Sequence, residues 1–181
     1  GEGTAIIPGG TYVYVLDNEP IAVNGVVASQ SQILQFTVGA NGAMQSQTGG
    51  AVPDDPAQAN PIYLTVESKN KWLYVANQGD LNNQSGTALS GITGYIIDPT
   101  THVLTEMSGL PFSSGAGPQC LVEDPSDQYF YTANLIDGTV TGNSVDQNSG
   151  SLKPLSSSHN VPDTYTLGGP ATWCLVDGRT N

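Results

Sequence analysis

The stretch "WLYVAN" at Trp72–Asn77 returns in similar form as "YFYTAN" at Tyr129–Asn134 and as "YVYVLD" at Tyr12–Asp17. The similarity extends upstream, because "PIYLTVESKNKWLYVAN" (residues 61–77) aligns without a gap to "PQCLVEDPSDQYFYTAN" (residues 118–134). Aromatic and β-branched phrases that recur at a constant offset are typical of repeat proteins, in which one supersecondary unit stacks on the next. The chain is therefore predicted to fold as repeated β units.

Each repeat contains four predicted strands. In the second repeat these are residues 64–66, WLYVAN, "ITGYII" at 92–97 and "VLTEM" at 103–107, which follows the turn sequence "DPTTH". The third strands align when Ile92 is set on Val140, and Phe36 then falls over Tyr95 in the first repeat. Four antiparallel strands repeated at roughly 50–60 residues indicate β-propeller blades. The alternatives are an immunoglobulin-like sandwich, which would not need this internal register, and disorder, which the regular apolar clusters oppose.

The fold class predicted is therefore all-β, a partial β-propeller made of four-stranded antiparallel blades. We expect a single domain over residues 1–181. Its repeats span approximately 1–60, 61–117 and 118–169, and a fourth repeat begins at 170–181.

The phrases "LYVANQG" (residues 73–79) and "FYTANLIDGTVTG" (residues 130–142) resemble the seven-bladed β-propellers of the lactonase family, also described as YVTN-repeat or 6-phosphogluconolactonase-like proteins. The resemblance covers nearly the whole chain and implies a secreted, periplasmic or cytosolic propeller. Some family members hydrolyse a sugar lactone. Seven blades need about twice this length, and three blades leave sheet edges open. We therefore expect the remaining blades or a partner chain to complete the ring, with a homo-oligomer as a further form of assembly.

Charge and composition narrow the function classes. The chain has 4 Lys and Arg against 16 Asp and Glu, a net charge of −12. Too few cations are present for binding to phosphate backbones, which excludes nucleic acid as a partner. No apolar run approaches the ~20 residues of a membrane span. The polar composition and the even number of cysteines favour an extracytoplasmic location, with the cytoplasm as the alternative.

Lactone hydrolysis requires a general base, a water molecule and a cation or hydrogen-bond donors for the developing oxyanion. The candidate catalytic residues are His159 in "SSSHNVP", Arg179 and Glu123. Three further polar residues have simpler interpretations. His102 is expected to be a surface residue of a hairpin turn. Glu67 and Asp124 are expected to belong to a solvated acidic channel rim, which is also the alternative interpretation of Glu123.

The polar segment "NQGDLNNQSG" (residues 77–86) is rich in oxygen ligands for Ca²⁺, but it lacks the regular carboxylate spacing of a calcium loop. It is interpreted as an ordinary loop, and no metal or cofactor is predicted. Within it, "NQS" makes Asn83 a glycosylation candidate in a eukaryotic secretory pathway.

Cys120 and Cys174 are the chain's two cysteines. Each lies an even number of residues after an aligned proline, Pro118 or Pro170, so both are predicted on the same side of neighbouring innermost strands. A disulfide requires Cα atoms within roughly 7 Å. The two alternatives are a bridge between adjacent blades and a pair of buried free thiols.

Two functions of different classes follow. The first is an extracytoplasmic propeller of the lactonase-like type that acts as a binding or assembly scaffold, without catalysis in this chain. The second is a sugar-lactone hydrolase whose catalytic groups lie partly in further blades.

Overall fold

The computed structural model describes residues 3–6, 12–18, 22–23, 26–27, 31–54, 60–79, 90–156 and 163–175. These residues form an all-β structure with three successive four-stranded antiparallel sheets, here called the first, second and third blades. The first blade begins with β1 (Gly3–Ile6) and β2 (Tyr12–Asp17). After a separate ribbon of β3 (Ala22–Val23) and β4 (Val26–Val27), it is completed by β5 (Gln32–Val38) and β6 (Met44–Pro53).

The second and third blades follow the same strand order. The second contains β7 (Pro61–Val66), β8 (Trp72–Asn77), β9 (Gly91–Ile97) and β10 (Leu104–Glu106). The third contains β11 (Pro118–Glu123), β12 (Tyr129–Asn134), β13 (Thr139–Val145) and β14 (Leu152–Pro154), and a further strand, β15 (Thr164–Thr166), pairs with β13. The first strand of the second blade contacts the first strands of both neighbours. The first strands therefore lie side by side, as the inner strands of a propeller do.

The strand register confirms the repeat alignment residue by residue. Ala76 pairs with Ile92 in the second blade, and Ala133 pairs with Val140 in the third. Ile92 and Val140 are therefore equivalent, as predicted. WLYVAN, YFYTAN and YVYVLD form the second strand of their respective blades.

Apolar side chains on facing sheets bind one blade to the next. One cluster joins Tyr14, Leu16 and Ile33 of the first blade to residues of the second that include Leu73 and Tyr95. The next cluster repeats the arrangement one blade later, and its members at the equivalent and facing positions are Tyr74, Ala76, Ile92, Leu121 and Phe130. WLYVAN is buried at all six positions because each face of the second blade is covered by a neighbour. Full burial of a large apolar side chain stabilises the fold by roughly 1.5–3 kcal/mol.

A tyrosine hydroxyl crosses each of these two interfaces. Tyr14 donates a hydrogen bond to the backbone carbonyl of His102 in the next blade at 2.7 Å, and Tyr74 donates one to the carbonyl of Gly150 at 2.7 Å. The acceptors occupy equivalent positions in the turn between third and fourth strands. Both have positive φ, 57° for His102 and 75° for Gly150. Burial raises the pKa of both tyrosines, so each hydroxyl keeps its proton and acts as a donor.

The structure joins Cys120 and Cys174 in a disulfide with a Cα–Cα distance of 6.0 Å. Cys120 and Leu121 lie in different apolar clusters on opposite faces of β11, as the alternation predicts. One detail of the prediction is wrong: no strand is assigned at Cys174, which lies in an irregular segment. The bridge ties this segment to the first strand of the third blade.

Replacing Cys174 by serine is expected to lower the free energy of unfolding, because the bond closes a loop between residues 54 positions apart. On the loop-entropy estimate the loss is up to about 4 kcal/mol. Chemical denaturation of the wild type and of Cys174→Ser measures the difference. Wild type treated with a reducing agent serves as the control and should match the variant. Two titratable thiols in unfolded, unreduced wild type would contradict the bridge.

Candidate functional site

The turns between first and second strands place carboxylates at one end of the blades. Glu67 and Asp124 occupy equivalent positions, directly after β7 and β11. The Glu67 carboxylate accepts the backbone N–H groups of Lys69, at 2.8 Å, and of Lys71. Glu67 is only 2% exposed, so the expectation of a solvated rim residue is wrong. Burial of this carboxylate is tolerated because the backbone N–H groups of its own turn donate hydrogen bonds to it.

Asp124 performs the same task one blade later. Its carboxylate accepts hydrogen bonds from the backbone N–H groups of Ser126 at 3.0 Å, Gln128 at 3.1 Å and Tyr129 at 2.9 Å. Partial burial acts to raise the pKa of Asp124, but these hydrogen bonds to the ionised form, with that of the Ser126 hydroxyl, hold the pKa below its usual value. Glu67 and Asp124 therefore have turn-stabilising roles.

Glu123 differs from these two carboxylates because its partner comes from the neighbouring blade. The backbone N–H of Ser68 donates to Glu123 Oε2 at 2.8 Å. Burial raises the pKa of Glu123 to about 7; the Ser68 hydrogen bond opposes the shift, while the charges of Glu67 and Asp127 add to it. A carboxylic acid with a pKa near neutrality can both donate and accept a proton at physiological pH, which is the property of a general acid–base group.

Beside Glu123, polar side chains link the turn after β7 in the second blade to the third blade. Ser68 Oγ donates to Asp127 Oδ1 at 2.7 Å, and Lys69 Nζ lies 3.7 Å from Asp127 Oδ2. Lys69 Nζ also donates to Gln147 Oε1 at 2.9 Å. The nearby ammonium group is thus engaged by acceptors of the third blade. The arrangement offers a proton-transfer group and a serine hydroxyl, and its cation is held in an ion pair.

Glu123 is the one predicted catalytic residue whose position can be described. His159, Arg179 and the glycosylation candidate Asn83 lie outside the described residues, as does the part of the polar loop between residues 80 and 89. Among the described residues, no group of three or more His, Cys, Asp or Glu side chains is arranged to hold a metal ion.

His102 does not have the exposed position expected of it. It lies in the turn after β9, but its ring is stacked on Tyr12 of the first blade with 3.9 Å between ring centroids, and its Nδ1 atom is buried. The turn places His102 in the left-handed backbone conformation, with φ of 57°. The imidazole is covered because the first blade packs against this turn. The equivalent residue one blade later is Gly150, which adopts the same conformation without strain.

The asparagines that end WLYVAN and YFYTAN have a role that sequence reasoning missed. Asn77 Nδ2 donates to Thr93 Oγ1 at 2.8 Å, and Asn134 Nδ2 donates to Thr139 and Thr141 at 2.9 and 3.0 Å. Both asparagines are fully buried, and their side chains join the second and third strands. The signal in the sequence was a threonine next to the aligned Ile92 and Val140 positions in the third strands.

Comparison with solved structures shows what this architecture resembles. A candidate 6-phosphogluconolactonase from Bacteroides fragilis matches 90% of this chain with a TM-score of 0.64 and 17% identity, over 38% of its own length. The periplasmic gluconolactonase PpgL of Pseudomonas aeruginosa matches 95% with a TM-score of 0.62 and 15% identity, over 43% of its length. Sqt1 of Saccharomyces cerevisiae matches 94% with a TM-score of 0.61 and 11% identity, over 36% of its length.

No protein-family model matches the sequence, and a search of curated proteins finds no match. Within the described part of the chain, no helix has both the length and the apolar character to cross a membrane. At these identities the structural likeness establishes the fold alone. The chain spans about two fifths of the length of the structures it matches. It has the fold of lactonase-like β-propellers over that part of their length.

The raised pKa of Glu123 predicts a pH dependence of stability. Between the ordinary value of 4.5 and about 7, the folded state holds a proton that the unfolded state has released. Stability is therefore fully present at the acidic end of this window and is lost as the pH rises through it. Glu123→Gln should remove this loss, which denaturation at several pH values would detect. Asp124→Asn is the matched control, because loss of its low-pKa carboxylate should alter stability towards acidic pH instead. An unchanged pH profile in Glu123→Gln would contradict the assignment.

Proposed function

We propose that this chain is part of an extracytoplasmic β-propeller that acts as a binding or assembly scaffold, and that a further blade of the same type covers the outward face of its third blade. The repeats near 1–60, 61–117 and 118–169 would then be units of one domain. The observation that carries the proposal is the incomplete burial of Tyr131. It occupies the position at which Tyr14 and Tyr74 are fully buried by the next blade, yet it is only partly buried.

The neighbouring positions support the same conclusion. Ile33 and Ile92 are fully buried at blade interfaces, whereas the equivalent Val140 is only partly buried. Phe112 bridges to Ile92 and is 6% exposed, whereas Tyr165, which pairs with Val140 in the same way, is 73% exposed. Exposed apolar surface of this kind marks an interaction site. In the first and second blades the equivalent positions are buried by the next blade. A further blade is therefore the partner whose shape fits this face.

The disulfide supports the extracytoplasmic location. Disulfides persist in oxidising compartments and are rare where cellular thiols keep proteins reduced. The Cys120–Cys174 bond also holds the segment that carries Trp173 and Leu175, which are 69% and 86% exposed, beside this face. The scaffold would therefore present Trp173 and Leu175 as an apolar surface next to the outward face of the third blade.

Hydroxyl-radical footprinting tests the covered face. In the isolated 181-residue chain, we expect Tyr131 and Tyr165 to be oxidised much faster than Tyr74. In protein purified intact from its natural source, we expect both to be protected as Tyr74 is, because another blade excludes solvent. Tyr74 is the internal control in both samples. Equal oxidation of Tyr131 and Tyr165 in the two samples would show that no blade covers them.

A second candidate function is hydrolysis of a sugar lactone, with catalytic groups partly in further blades. The observation that favours it is Glu123, whose pKa of about 7 suits proton transfer to or from a water molecule. His159 and Arg179 remain candidates to supply the electrophilic side of such a site. Two of the matched solved structures carry lactonase names, which makes this the reaction class to assay.

Hydrolysis of glucono-δ-lactone and of 6-phosphogluconolactone, followed by pH-stat, separates the two functions. Under the scaffold proposal we expect no saturable hydrolysis above the buffer rate, either from the isolated chain or from protein of natural source. Saturable hydrolysis that is lost in Glu123→Gln and retained in Glu106→Gln would establish the second function. Glu106 is the control because it is an exposed carboxylate on β10.

A further inference from the structure

A cleft of about 480 Å³ lies where the second blade meets the third, at the end that carries the hairpin turns. Its wall combines Lys69, Lys71, Ile96, Pro99 and His102 of the second blade with Asn148 of the third. The whole chain contains four Lys and Arg residues, and two of them line this one cleft. In a chain with a net charge of −12, this concentration of cations makes the cleft the attractive place for an anion.

The two lysines are not equivalent. Lys69 forms an ion pair with Asp127 at 3.7 Å. Lys71 is exposed, and within the described residues its ammonium group has no carboxylate partner. The Lys71 Nζ atom lies 5.5 Å from the centre of the Trp72 ring, which holds the ammonium by a cation–π contact and leaves its hydrogen-bond donors available. Lys71 is therefore the group in the cleft that can bind an anion directly.

The apolar part of the cleft is formed by the third strand. Ile96 pairs with Trp72 across β8 and β9, and its side chain is 45% exposed. Pro99 lies three residues further along and is also exposed. An aliphatic side chain next to an ammonium group suits a ligand with one charged end and an apolar body.

Two polar atoms in the wall have unused hydrogen-bonding capacity. Asn70 Oδ1 and His102 Nδ1 are buried and have no hydrogen-bond partner among the described residues. Because both atoms are buried, a ligand in the open cleft does not reach them, and the polar contact that the cleft offers is the Lys71 ammonium group.

We propose that this cleft binds a small organic carboxylate with an apolar body, with its carboxylate on Lys71 and its apolar body against Ile96 and Pro99. The site shares Lys69 with the Glu123 cluster, where that lysine is paired with Asp127, and its described wall belongs to blades that this chain contains. Binding therefore does not require a further blade, and it holds whether the propeller is a scaffold or a hydrolase.

An NMR titration of the intact chain with 3-phenylpropionate tests the proposal. The two tryptophan indoles give separate signals, and Trp173, which lies outside the cleft, is the internal reference. We expect saturable shifts of the Trp72 indole and the Ile96 methyl groups, with no saturable change at Trp173. The neutral amide of the same acid should bind about tenfold more weakly, because it loses a charge-assisted hydrogen bond.

Two variants complete the test. Lys71→Gln should weaken 3-phenylpropionate binding about tenfold, whereas Lys153→Gln, which removes a lysine outside the cleft, should leave affinity unchanged. Ile96→Ser provides a second variant and should weaken the acid and the amide alike. The proposal is overturned if the Trp72 and Ile96 signals do not shift saturably. It is also overturned if the acid and its amide bind equally, or if Lys71→Gln binds as the wild type does while its spectrum shows an intact fold.

Discussion

The architecture depends on the tyrosine in the middle of the second strand in the first two blades. Its ring fills the space between two sheets, and its hydroxyl reaches the carbonyl of a left-handed turn residue in the next blade, as Tyr14 does to His102 and Tyr74 to Gly150. The hydrogen bond contributes only about 1 kcal/mol net, but a buried hydroxyl without a partner would cost more than that. A blade can therefore bury this tyrosine only if the next blade presents its turn at the correct height.

This requirement fixes other parts of the structure. The turn must contain a left-handed residue, so Asp98 and Asp146 organise it by accepting backbone N–H groups at equivalent positions. In the second blade the residue opposite the tyrosine is Gly94, whereas in the first blade Gln35 stands opposite Tyr14. Packing of Met107 and Phe112 requires the glycine, because a Cβ on Gly94 would lie 2.8 Å from each of them. The equivalent glycine, Gly142, faces Tyr131 across the same strand pair. The repeat therefore encodes an interface as well as a sheet.

The sequence predicts the positions and pairing of the strands, because the alternation of side chains along a strand and the constant offset between repeats can both be read from the residue order. The register of Ile92 on Val140 follows from aligning two phrases, and the opposite orientation of Cys120 and Leu121 follows from strand alternation. The stacking of His102 on Tyr12 could not be predicted in this way, because residues far apart in sequence carry no periodic signal of a contact between blades. The burial of Glu67 was not predicted for a different reason: its hydrogen bonds are local, but they lie in a turn, where strand alternation no longer applies.

The packing of turns between blades also explains why some carboxylates only stabilise a turn while Glu123 is available for proton transfer. A carboxylate directly after a first strand, such as Glu67 or Asp124, faces the donors of its own turn and is used by them. Glu123, one residue earlier, lies on the other side of the strand and meets the neighbouring blade, where it accepts the N–H of Ser68 among further acids. Its pKa therefore rises while that of Asp124 falls, although the two residues are adjacent. For these two neighbours, a shift of one residue therefore determines whether a carboxylate accepts hydrogen bonds from its own turn or from the adjacent blade.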